Sequence, residues 1–403
     1  MNTCLIYRVL GESTKIVSFI KYKGNRTIVY LMVLFIISLL RTTNPNTDIV
    51  NIGYKLLTTF LVFLYVIAIC SRYIMYGRYE EVQMLLQKVA IYPFILFCLI
   101  NLALYFLQIK IDDSEVTSYQ EAGPALLLSK FGIEMLRVKF PLVTGYNTFA
   151  ALVGLVFLLQ VLITIFNPFS LVKIFCCTVL LCTLVPIDSR VSIFVPLIII
   201  CLTFIFKKIS SPFICNLYST VPYIYFIFPI MLVSIFPLLT GNIADVQRED
   251  DSEFIRFTIW AISLKVFAAF DIYHLIGYGE FGHYGSNASK QWASIFTSWT
   301  NNNLITTHNS VFSILFDMGY IGLIIFIKLN FEITSKVRKY FPVLREVAFI
   351  VGGIVLFCSI VGSTESLIGF YFPNFLMYFF FVIVAFFQVL SILKEKKVYN
   401  SHI

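Results

Sequence analysis

A chain of 403 residues in which 59 % are hydrophobic and only 13 % charged lies far from a soluble globular protein, where about 25 % of residues carry charge. The composition excludes a water-soluble enzyme and predicts an all-α polytopic membrane protein. The net charge of +8 is not a nucleic-acid signal: with both termini inside, most Lys and Arg fall on the inner face and most acids on the outer one, which is a topology signal.

In chain order, residues 1–26 lack an apolar core ending in a small-residue cleavage site, so no cleavable signal peptide is expected. Apolar runs then predict about ten transmembrane helices, within a range of about 10–12. They lie near 27–40, 56–71, 90–107, 141–166, 171–187, 191–206, 221–239, 310–327, 343–361 and 373–393. Residues 1–239 form an N-terminal helix bundle with an outer loop at 108–140. In that loop Asp112, Asp113 and Glu115 precede a helix-like run from Pro124 to Arg137.

A large outer loop at 240–307 separates the helices near 221–239 and 310–327, and residues 308–403 supply the C-terminal helices. A polar loop of that length is usually functional. Within it, Asp250 and Glu253 have capping-box spacing and predict a helix over 252–270. That helix sets Arg256 and Trp260 one turn apart on one face. Next comes a turn-rich segment with Gly277, Gly279, Gly282 and Gly285 among His274, Tyr278, His283 and Tyr284. None of the nine cysteines lies in an outer loop and none has metal-ligand spacing, so neither disulfide nor metal site is expected. Trp292 and Trp299 read as an interfacial belt or as sugar-stacking platforms.

Thr307-His308-Asn309-Ser310 leads from this loop into an apolar helix. Ser310, Ser313, Asp317 and Tyr320 make one narrow polar stripe at helical spacing. Asp317 falls about two turns in, ~10–13 Å below the interface, where a carboxylate must face protein or water. On one ideal helix His308 and Asp317 would point about opposite ways, so Asp317 is expected to orient the helix or tie it to a neighbour. His308 can accept a hydroxyl proton at neutral pH. Arg190 sits in the tight turn Asp188-Ser189-Arg190. It is either a fork for phosphate oxygens or a snorkelling anchor, and the short turn favours the first. For Arg256 the spacing favours an ion pair with Glu249, Asp250, Asp251 or Glu253.

His308-Asn309, nine residues, Gly319, two residues and Gly322 is similar to the signature H-N/S/Q-x9-G-x-x-G/T/Y of O-antigen ligases and O-antigen polymerases (Wzy-type). Ser189-Arg190, the Arg256…Trp260 helix and the Gly277-Tyr278-Gly279 cluster resemble further family elements, in the same order and on the same expected side. Asp317, usually Glu, and Val191, usually small, depart from the pattern. The resemblance covers about 185–325. It implies a GT-C-like, membrane-embedded, inverting glycosyltransferase that uses no nucleotide sugar, no metal and no other cofactor. Its implied substrates are undecaprenyl-diphosphate-linked oligosaccharides, as donor and as acceptor. It places the protein in the bacterial inner membrane, both termini cytoplasmic and the active site facing the periplasm, among membrane lipid and with a chain-length regulator protein as partner. By position, His308 becomes the catalytic base and Arg190 and Arg256 the diphosphate binders. Asn309, Asp317, Gly319, Gly322 and Trp260 become supporting residues. The Phe-, Ile-, Tyr-, Lys- and Asn-rich composition favours a polymerase. An O-antigen ligase, with lipid A core as acceptor, and a lipid-linked oligosaccharide flippase or transporter are the alternatives.

Overall fold

The computed structural model describes residues 23–45, 48–58, 87–109, 117–118, 137–143, 146–168, 170–208, 212–240, 252–293, 306–342 and 345–367. The span expected at 373–393, most of that at 56–71, the run from Pro124, the acids Asp250 and Asp251, and Trp299 lie outside them. In chain order the helices are α1 (Lys23–Leu40), α2 (49–58), α3 (Tyr92–Phe106), α4 (Tyr146–Phe166), α5 (Leu171–Ile187), α6 (Arg190–Phe206) and α7 (Pro212–Thr240). There follow α8 (Ser252–Ala268), α9 (Tyr273–Ile276), α10 (Gly282–Gly285), α11 (Ala288–Trp292), α12 (Ser310–Tyr340) and α13 (Arg345–Gly362). Strands β1 (Thr117–Ser118) and β2 (Arg137–Val138) form one small antiparallel pair, Thr117 opposite Val138. The protein is thus essentially all-helical. Among the described residues α4, α12 and α13 are long and apolar enough to cross a membrane, and several shorter apolar helices accompany them.

Two compact units divide the chain. One draws on Met1–Arg78, Thr220–Ile333 and Gly362–Ile403, the other on Tyr79–Ser219 and Thr334–Val361. At the centre of the second is α4. Its residues from Phe149 to Gln160 are buried without interruption, as expected of a helix apolar on every side. Glycine lets neighbours approach it: a Cβ at Gly154 would stand 2.5 Å from the Ser192 carbonyl of α6, and one at Gly353 of α13 3.1 Å from Leu162. Small residues at such crossings are the usual means of packing apolar helices without a water-driven force. The α5–α6 hairpin turns on Asp188, buried and left-handed at φ 56°, whose N–H reaches the Val185 carbonyl.

The first unit is organised around a break. Helix α12 is interrupted at Gly319 (φ 67°, ψ −166°), a conformation open essentially to glycine alone. Two carbonyls just before it, whose helical partners would be the N–H groups of residues 320 and 321, take other donors. Tyr278 N–H donates to Phe316 O at 2.7 Å, and Gly279 N–H to Asp317 O at 3.2 Å. Ser38 Oγ of α1 donates to the same Asp317 carbonyl at 2.9 Å. The backbones touch closely enough that a Cβ at Gly319 would collide with Gly277 N, and one at Gly282 with Phe316 O. The break also presses Met318 towards Gly322, where a Cβ would strike the Met318 Cβ. The polar stripe expected along one helix therefore ends at Asp317: Tyr320 lies beyond the break, in a different register, and donates to Phe267 O at 3.1 Å.

Gly319→Ala should lower the thermal unfolding midpoint in lipid nanodiscs, since the backbone strain alone costs about 1–3 kcal/mol. Gly53→Ala, whose methyl would meet nothing within 4 Å, is the control. Equal midpoints for the two would refute the break as a structural requirement.

Candidate functional site

Helix α12 begins with a built cap. Asn309 Oδ1 accepts from Val311 N–H at 2.8 Å and from Phe312 N–H at 3.2 Å, satisfying two donors that a helix start leaves over. Its Nδ2 donates to Ser363 O at 2.8 Å. The turn after α13 is stitched to the same place. Ser310 Oγ donates to Glu365 O and accepts from Leu367 N–H, both at 2.9 Å, and Ser313 Oγ donates to Ser366 Oγ at 2.9 Å. His308 immediately precedes the cap at φ 47°. It is therefore not a residue of α12, and a comparison of its direction with that of Asp317 along one ideal helix does not apply.

Helix α8 reaches this turn with one face. Trp260 is 3 % exposed and donates Nε1–H to Thr307 O at 3.0 Å. One turn earlier, Arg256 Nη2 lies 2.7 Å from Glu365 Oε1. Arg256 thus pairs across 109 positions of sequence. Of the acids expected as its partners, Glu249, Asp250 and Asp251 lie outside the described residues, and of the Glu253 side chain nothing is described. The other carboxylate oxygen, Oε2, stands 3.5 Å from His308 Nδ1. That is within ion-pair reach but beyond hydrogen-bond geometry, and Nδ1 is buried with no other hydrogen bond among the described residues. The three side chains keep 17–28 % of their surface open. Solvent reaches this ion pair and screens it in part, so a stronger anion can displace it.

Glu365 is the site residue that sequence reading passed over. Its signal is Ser363-Thr364-Glu365-Ser366, a polar run closing one apolar helix. Only the fold shows that this run meets His308.

The glycine-rich segment is part of the scaffold. Asp317 Oδ1 accepts from Gly282 N–H at 3.0 Å, so the buried acid ties α12 to this segment. Glu280 is wholly buried and its Oε1 is bonded by Lys55 of α2, itself 4 % exposed. Its backbone N–H donates to Ser38 O at 3.0 Å and its carbonyl accepts from Thr43 N–H at 2.9 Å. A buried ion pair of this kind fixes one arrangement more than it adds stability. His274 accepts from Asp271 N–H through Nδ1, shares a 3.0 Å hydrogen bond with Tyr278 Oη through Nε2, and is 2 % exposed. Burial first, then the nearby Asp271 and Tyr273, raises the Tyr278 hydroxyl above its ordinary value, which keeps it a neutral partner. His283 is buried and stacked at 6.1 Å on Trp292, which is itself fully buried and so neither belt nor platform.

In the second unit Arg190 is the first residue of α6 and is exposed. That position is a helix N-terminus, an end that favours anions.

In the first unit the Glu365 carboxylate meets the Arg256 guanidinium with one oxygen and the His308 imidazole with the other, beside a capped helix start, a set of groups chemically suited to binding an anion and moving a proton. The long apolar helices suggest an integral membrane protein. Residues 142–327 match the family model described as O-Antigen ligase. The chain therefore carries a domain of the O-antigen ligase/polymerase family, membrane enzymes that process lipid-linked polysaccharide. No curated protein matches the chain.

Asn309→Ala should lower stability by about 1–2 kcal/mol from the lost cap alone. Asn309→Asp, which keeps the accepting oxygen and loses the donor to Ser363, should fall between alanine and wild type in thermal unfolding. Aspartate no better than alanine would refute the capping role.

Proposed function

We propose that the protein is an O-antigen or surface-polysaccharide polymerase, an inverting glycosyltransferase that moves a polyprenyl-diphosphate-linked glycan onto a lipid-linked repeat unit at the periplasmic face. The observation that carries the reading is the meeting of Arg256 and His308 on Glu365, beside the family domain at 142–327. The acceptor hydroxyl oxygen bonds to the donor's anomeric carbon as the bond from that carbon to the phosphate oxygen breaks. The hydroxyl proton passes to His308 Nε2, and the polyprenyl diphosphate leaves with the bonding electrons. Arg256 stabilises the negative charge gathering on that leaving group. Arg190 is assigned the same phosphate chemistry on the strength of its exposed place in the Ser189-Arg190 turn. Asn309 and Trp260 hold the turn that presents His308, and Asp317, Gly319 and Gly322 hold the helix behind it. The reaction as written needs no metal ion or nucleotide sugar.

Deletion followed by lipopolysaccharide gel analysis tests the assignment: core plus one repeat unit means polymerase, core alone means ligase or flippase. His308→Ala should abolish polymer while the protein still inserts, and a normal ladder would sink the base assignment. Arg190→Lys should be severely impaired, because a point charge does not replace a bidentate fork. Near-wild-type polymer from that variant would make Arg190 an anchor only.

A further inference from the structure

We propose that Glu365 is a positioning residue for the transfer, a partner of Arg256 that turns to His308 once the donor's diphosphate has taken Arg256 over. The inference rests on the transferase reading above. In the structure one carboxylate oxygen of Glu365 is engaged by Arg256 at 2.7 Å, while the other stands 3.5 Å from His308 Nδ1. The carboxylate is thus shared unequally between the two groups the reaction needs.

Exchange is favoured by charge and by shape. A diphosphate offers more negative charge than a carboxylate, and its oxygens suit the guanidinium fork at least as well. The ion pair it must displace is partly open to solvent, with 26 % of the Arg256 side chain and 17 % of the Glu365 side chain exposed. Glu365 does not follow Arg256 when the pair parts. Its backbone carbonyl is bonded by Ser310 Oγ, and Ser310 also takes the N–H of Leu367. Only the side-chain torsions are left to move, and the gap to Nδ1 closes with a shift of about 0.5 Å.

The closed contact has a defined consequence. A hydrogen bond from Nδ1–H to the carboxylate holds the imidazole in the tautomer whose Nε2 carries the lone pair, and stabilises the imidazolium once Nε2 has taken the acceptor's proton. The Nδ1 proton stays where it is, so no further acid or base is required. His308 is then a competent base only in the donor-loaded enzyme. Arg256 reports occupancy of the phosphate site to His308 through one carboxylate.

The test uses the full chain in lipid nanodiscs, with undecaprenyl diphosphate as binding probe and lipid-linked repeat unit extracted from the source strain as substrate. E365Q should bind undecaprenyl diphosphate about two- to fivefold more tightly, the weight of a partly exposed ion pair that no longer competes. Its turnover should fall by about 10²-fold. Tighter binding with slower turnover is a split that loss of structure does not produce. Unchanged or weaker binding overturns the exchange, and wild-type turnover overturns the positioning of His308. Full turnover in H308A alone would refute the base assignment proposed above, while the affinity of E365Q would still decide whether Glu365 competes for Arg256. E365A provides the same affinity comparison if the glutamine variant does not accumulate.

Discussion

A helix interrupted in an apolar setting has backbone carbonyls that must find donors, and the first unit is arranged around supplying them at Gly319. Leaving one such group unpaired costs roughly 1–3 kcal/mol, and water is not at hand to make up the loss. The donors come from Tyr278, Gly279 and Ser38. Each brings a piece of chain with it, so the break in α12 becomes the point at which α1, the glycine-rich segment and α12 are fastened together. The buried Asp317 carboxylate and the Lys55–Glu280 pair tighten the same junction. Charged groups that would be a liability in an apolar interior are here partnered and committed to one geometry.

The side chains to which the proposed function gives the chemistry are held more lightly than that junction. Thr307, Asn309, Ser310 and Ser313 bond the turn after α13 to the start of α12, chiefly through short side chains with few torsions. Short hydroxyl and amide side chains lose little entropy when fixed, which suits a place where the backbone must not drift. On that fixed base stand longer side chains, Arg256, Glu365 and His308, partly open to solvent. The division is physical: short side chains fasten the backbone by hydrogen bonds, and longer charged side chains stand partly open to solvent.

Much of this was legible in the sequence because hydropathy and local motifs carry it. Apolar runs located α1, α3 to α7 and α13 to within a few residues at most ends, and capping-type spacing located α8, because each depends on neighbours close in the chain. The glycines of the family signature were visible as letters, but their work was not. Gly319 has its role because Gly277 lies against it, and Gly322 because the break moves Met318. The expected reach of the span at 310–327 fell short of Tyr340, since the polar residues of the last turns of α12 do not look like a span. Glu365 was missed for a related reason. A lone acid in a short polar run has no local pattern, and its meaning arises only when two other distant segments converge on it.

That failure bears on the electrostatics of the site. Counted along the sequence, Arg256 has four acids close by and reads as already neutralised. Among the described residues its partner is a carboxylate in another turn, partly exposed and in reach of an imidazole. A guanidinium neutralised within its own helix would be a fixed ornament of that helix. A guanidinium paired across a gap, with a group that also lies within reach of an imidazole, is one that a competing anion can release. The bulk acidity of the surrounding segments therefore says little about anion binding here. Affinity is decided by which charges are close, how dry they are, and whether their present partner has somewhere else to go.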